Sequence, residues 1–82
     1  MITDINEPIK VKLIVGQGTI KIISLFWNNK VIPVESITYR WITKKGLFPL
    51  FHFALSVNNT IMEVHFDPVK LQWFLDRIHL DG

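Results

Sequence analysis

Apolar and polar residues alternate with a period of two along most of this chain. Ile9, Val11, Leu13 and Val15 alternate with Lys10, Lys12 and Ile14, the spacing of a strand buried on one face. Gly16-Gln17-Gly18 interrupts that strand as a turn. Two Asn-Asn steps follow, each between runs of apolar and β-branched residues: Asn28-Asn29 between 20–27 and 30–34, and Asn58-Asn59 between 51–57 and 60–66. Asn tolerates positive φ, which a two-residue type I′ turn needs at both positions. Both segments therefore predict β-hairpins. In the first, Trp27 pairs with Lys30, Leu25 with Ile32, and Ile23 with Val34, so Ile23, Leu25, Trp27, Ile32 and Val34 share a core face. Pro33 lacks an N–H and belongs at an edge or a bulge. In the second hairpin Phe51, Phe53, Leu55 and Val57 face one side. Leu55 meets Met62, Phe53 meets Val64 and Phe51 meets Phe66. The opposite face sets Ala54 against Glu63 and His52 against His65.

Ile37, Tyr39 and Trp41 keep the strand period but in the opposite phase to Ile32 and Val34. A bulge or bend at Glu35-Ser36 would return them to the core face and help the sheet curl. Residues 43–49 predict a basic loop holding two apolar residues, and residues 1–7 a polar lead-in. The C-terminal segment has two readings. Asp67-Pro68 can cap a helix over 68–79, with Leu71, Phe74, Leu75 and Ile78 as its stripe; equally, Asp-Pro can open a turn before a final strand.

Eighty-two residues make one domain, 1–82. The 49% hydrophobic content supplies a core, although a chain of this size buries only roughly 60% of its unfolded surface. No cysteine is present, which excludes disulfides, thiolate catalysis and Cys-based zinc sites. No apolar run approaches the ~20 residues of a membrane span, and the first residues lack the basic-then-apolar pattern of a signal peptide. The expectation is a cytoplasmic protein without a membrane partner. Net charge is +2, with cations spread thinly rather than clustered.

Several segments taken in order resemble a family of small bacterial domains of unknown function. They are Trp27-Asn-Asn-Lys-Val-Ile-Pro-Val34, Ile37-Thr-Tyr-Arg-Trp41, Phe51-His-Phe-Ala-Leu55, Met62-Glu-Val-His-Phe-Asp67 and Trp73-Phe-Leu-Asp-Arg-Ile78. The shared pattern is a Trp-Asn/Gly hairpin, an R-W step, aromatic strands and a terminal W-x-L-x-R strand, over residues 8 to 79. The resemblance implies a loop at 67–72 and a strand at 73–79. It also implies a distant link to DNA repair or replication, because some relatives resemble neighbours of error-prone polymerase accessory proteins. Pro68, Val69 and Leu71 depart from the polar loop of that family. The expected fold is thus all-β: a small, strongly bent antiparallel sheet or partly open SH3-like barrel built from hairpins. The alternative is α+β with the C-terminal helix.

No phosphate loop, nucleophile elbow or triad pattern occurs, so no enzyme is expected. His52, Glu63, His65 and Asp67 are the one chemical cluster of the hairpin. Opposed imidazoles roughly 5 Å apart at Cβ can share a metal ion with a carboxylate such as Glu63. A solvated strand face accounts for the same residues without one, and the reading taken is that the chain holds no metal and no cofactor. Arg40, Trp41, Lys44 and Lys45 are candidates for stacking on and neutralising single-stranded nucleic acid. Leu47, Phe48 and Leu50 form an apolar segment suited to a protein contact. The function expected is a non-enzymatic interaction module that binds a protein partner or self-associates; the alternative is a weak single-stranded nucleic-acid-binding domain.

Overall fold

The structure, a computed structural model, describes residues 1–80. Seven antiparallel strands form a single sheet: β1 (Ile2–Gly16), β2 (Thr19–Trp27), β3 (Lys30–Pro33), β4 (Ser36–Lys45), β5 (Phe48–Val57), β6 (Thr60–Asp67) and β7 (Gln72–His79). Their order is β3-β2-β1-β7-β6-β5-β4. The sheet bends strongly but does not close into a barrel, because β3 and β4 stay at opposite ends of the order. No helix forms among the described residues, and so none is long and apolar enough to cross a membrane.

The turns follow from backbone chemistry. Asn28 and Asn29 hold φ of 52° and 58°, Asn58 and Asn59 hold 50° and 63°, and Gln17 and Gly18 hold 52° and 76°. Each pair fits type I′, whose twist matches that of the flanking strands. The second hairpin has the predicted register throughout, including Phe53 opposite Val64 and His52 opposite His65. The first pairs Trp27 with Lys30 and Leu25 with Ile32, and Pro33 sits on the short edge strand β3.

One core residue moves by a position. The β1–β2 ladder slips between Lys12 and Leu13, where Ser24 and then Ile22 are the partners. Ile23 is the extra residue of that bulge, so Ile22 rather than Ile23 is fully buried. The core joins Ile9, Ile22 and Leu25 to Phe53, Leu55, Val57, Met62, Val64 and Leu75. Leu25, Leu55, Leu75 and Val64 are the largest fully enclosed side chains. Each contributes on the order of 1.5–3 kcal/mol by leaving water.

Three expectations change, and the α+β alternative falls. Residues 1–7 are not a lead-in: Ile2 pairs with His79 and Glu7 with Leu75, making them the first half of β1. Their polar sequence hides a strand whose partner is more than sixty residues away. The basic loop shrinks to a two-residue turn at Gly46-Leu47 between β4 and β5, with Gly46 alone at positive φ, 63°, as type II′ requires. The helix over 68–79 does not form. Asp67 Oδ1 accepts hydrogen bonds from the backbone N–H groups of Val69 (3.0 Å) and Lys70 (3.1 Å), and that turn, with Leu71 at φ 53°, leads into β7. Two flanking strands, β1 and β6, satisfy the β7 backbone, which a lone helical stripe cannot outweigh.

The third change reorients β4. Its chain breaks from β3 at Val34-Glu35, but the change of phase comes later, between Ile37 and Tyr39. Ile37 packs on the core. Thr38 is the bulge residue, and beyond it Tyr39 and Trp41 lie opposite Ala54 and His52, on the outer face rather than in the core.

Candidate functional site

Two regions of the sheet place chemistry-bearing residues together. The first is a row across the outer face. Trp41, His52, His65, Phe74 and Pro8 are successive ladder partners on β4, β5, β6, β7 and β1. Because partners in register share a face, their rings meet. Trp41 stacks on His52 with centroids 5.1 Å apart and planes at 14°. His52 and His65 lie 5.2 Å apart, and His65 stacks on Phe74 at 4.9 Å and 20°. Tyr39 extends the row, 5.6 Å from Trp41.

Asp76 completes this row. A bulge in the β6–β7 ladder pairs Glu63 with Arg77 and Val64 with Leu75, leaving Asp76 as the extra residue. Its carboxylate lies 2.7 Å (Oδ1) and 2.9 Å (Oδ2) from His65 Nδ1. His52 Nδ1 is 3.8 Å from Asp76 Oδ2, beyond hydrogen-bond reach. The other nitrogen of His52, Nε2, bonds Thr43 Oγ1 at 2.7 Å. Half-burial lowers the pKa of His52 below the ordinary imidazole value, and repulsion from His65 adds to this; attraction to Asp76 and Glu63 opposes it. His52 is accordingly held neutral near pH 7, the form in which imidazole carries a free lone pair.

Of the residues expected to cluster here, His52 and His65 do meet. Glu63 turns instead to His79 and forms a close hydrogen-bonded pair with its Nε2. Asp67 is spent on the turn after β6. Asp76 and Thr43 were missed by sequence reasoning because the register of β7 and the strand character of residues 43–45 were both undefined. The signal for Asp76 was its two-residue spacing from Phe74, which puts both on one face once 73–79 is a strand.

The second region is the β4 edge. Arg40 lies opposite Phe53, Ile42 opposite Phe51 and Lys44 opposite Pro49, whereas Trp41, Thr43 and Lys45 oppose His52, Leu50 and Phe48. Strand alternation thus divides the proposed nucleic-acid residues: Arg40 and Lys44 on the inner side, Trp41 and Lys45 on the outer. Phe48 and Leu50 also lie on the outer side, and Leu47 projects from the turn, 91% exposed. Inside the bend, where the sheet stays open, lies a cleft of about 740 Å³. Leu13, Val15 and Ile20 line one wall, and Ile42, Phe51 and Trp73 the other. Neither known family patterns nor curated proteins nor solved structures gave a match to this chain.

Proposed function

We propose that this chain is a non-enzymatic interaction module that accepts an extended segment of a protein partner as an additional strand on β4. The observation that carries this is the pairing of an open edge with an apolar cleft. Among the described residues β4 pairs with β5 alone, over ten residues, so its other side offers a row of N–H and C=O groups. The opposite edge is blunted: β3 has four residues and ends in Pro33, a common protection against unwanted pairing. β4 carries no proline, and Ile42, 61% exposed, borders the cleft. An extended peptide with apolar residues at every second position fits both features: its backbone adds to the ladder and its side chains enter the cleft. Leu47, Phe48 and Leu50 provide further apolar contact at the hairpin end.

The alternative of a nucleic-acid partner needs Arg40, Trp41, Lys44 and Lys45 on one surface, and they lie on both sides of β4. Selection of displayed random peptides on the folded chain tests the proposal. The expected winners alternate apolar residues with a period of two and lose binding to Ile42→Lys, with little dependence on salt. Enrichment of peptides without that period, or binding indifferent to Ile42→Lys, would overturn it. Concentration-dependent self-association abolished by Ile42→Lys would identify the docking segment as a second copy of this chain. Binding to mixed-sequence single-stranded DNA that collapses between roughly 50 and 200 mM salt, and disappears in Lys44→Glu/Lys45→Glu, would establish the alternative.

A further inference from the structure

We propose that His52, His65 and Asp76 form a binding site for one divalent transition-metal ion, with Zn²⁺ as its representative, on the outer face of the β5–β6–β7 segment. The donors are His52 Nδ1, His65 Nδ1 and an Asp76 carboxylate oxygen, and all three atoms lie within 4.8 Å of one another. A tetrahedral ion bound at about 2.0–2.1 Å needs ligand atoms roughly 3.4 Å apart. The Asp76–His65 separation of 2.7 Å must open by a fraction of an ångström and the Asp76–His52 separation of 3.8 Å must close by a similar amount. The two imidazole nitrogens, within 4.8 Å of each other, must also approach, and each adjustment is of a size that side-chain rotation supplies without a change of backbone register.

The surroundings suit a cation. A metal on His52 Nδ1 requires the ring proton on Nε2, where Thr43 Oγ1 at 2.7 Å accepts it. That second contact fixes the ring as outer hydrogen bonds fix metal-bound histidines. Trp41 and Phe74 bracket the two imidazoles by stacking, so the rings are already oriented before an ion arrives. The Asp76 carboxylate supplies negative charge beside both imidazoles, 2.7 Å from His65 Nδ1 and 3.8 Å from His52 Nδ1. Two imidazoles and a carboxylate are a donor set for Zn²⁺, Cu²⁺, Ni²⁺ and Fe²⁺ rather than for Mg²⁺ or Ca²⁺. An ion on His65 Nδ1 takes the place of any proton there, and the neutral ring then carries its proton on Nε2, as His52 does. Three protein ligands leave further coordination positions for water or a partner's donor group.

The test is titration of the full chain, freed of metal by chelation, with Zn²⁺ by calorimetry and with Co²⁺ by visible absorption. One equivalent should bind in a saturable phase. Zn²⁺ at roughly 100 times its Kd should raise the Tm on the order of 10 °C. Thr43→Val should weaken binding about 10-fold, whereas Asp76→Asn and His65→Gln should abolish the saturable phase. His79→Ala should bind as the parent does. Circular dichroism of each variant guards against misfolding, and Asp76→Asn, nearly isosteric, remains informative if His65→Gln fails to fold. Absence of a saturable phase in the parent chain would overturn the proposal. Retention of it in Asp76→Asn, or its loss in His79→Ala, would place the ion elsewhere and overturn it equally. The β4 reading stands apart from all of these outcomes, since it turns on Ile42, which none of these variants alters.

Discussion

The two faces of the β5–β6 hairpin share every backbone hydrogen bond and differ in almost everything else. Phe53, Leu55, Val57, Met62 and Val64 are buried on the inner face against Ile22, Leu25 and Leu75. Their stabilisation comes from removal of apolar area from water and from close packing. His52, Ala54, Glu63 and His65 alternate with them on the outer face, where no second layer of the described residues covers them. They are half-buried only by their neighbours along the row, and their order comes from stacking and hydrogen bonds. One register therefore builds a core on one side and a titratable cluster on the other, and changes to the two faces should have separable consequences.

The sharpest way to break that contrast is to truncate the inner face. Leu55→Ala should cost about 2–5 kcal/mol, a large share of the roughly 5–15 kcal/mol that holds a small domain folded. Its outer-face neighbour Ala54→Ser should stay within about 0.5 kcal/mol. Urea denaturation followed by tryptophan fluorescence measures both, and equal losses would mean that the outer face is as much a part of the core as the inner one. A smaller effect should come from the turn, which sets both faces at once. Asn59 sits at φ 63°, where a β-branched side chain meets the following carbonyl, so Asn59→Val should cost about 1–2 kcal/mol. Asn59→Gly should be close to neutral. Near-equal stability of the valine and glycine variants would show that the register is held by the strands alone.

What the sequence makes legible follows the same division. The β5–β6 hairpin is readable in full, because a positive-φ Asn pair and clean alternation specify turn, register and both faces locally. The interruptions are not readable. Bulges at Ile23, Thr38 and Asp76 each insert one residue into a regular period. Nothing in the local pattern marks them, since their cause is the need of a bent sheet to reconcile two partners of different curvature. Thr38 decides whether Trp41 is core or surface, and the bulge at Asp76 helps decide which carboxylate joins the histidines. Residues 2–9 and 72–79 illustrate the long-range limit. Each is strand because the other is there, as shown by the Leu80 N–H donating to Met1 O at 2.8 Å just beyond their ladder. The helical stripe at 71–78 is a genuine local preference that tertiary pairing overrides.

The subtlest effect should be found in the dependence of stability on pH, and it belongs to the outer face alone. His52 has a folded-state pKa below its ordinary value of 6.5, lowered first by burial and then by His65, against the pull of Asp76 and Glu63. Between the folded value and 6.5 the unfolded chain binds more protons at this site than the native one, so the stability that neutral His52 supports is complete above that window and lost as pH falls through it. In chelator, lowering the pH from about 7.5 to about 5.5 should therefore reduce the Tm of the parent chain more than that of His52→Gln, which keeps a hydrogen-bonding group near Thr43 but has nothing to protonate. Leu55→Ala, although far more destabilising, should retain the parent's pH slope, because it leaves the outer row in place. Parallel profiles for the parent and His52→Gln would show that protonating His52 costs the folded row nothing, and that the outer face is more solvated than the stacking of Trp41 on His52 implies.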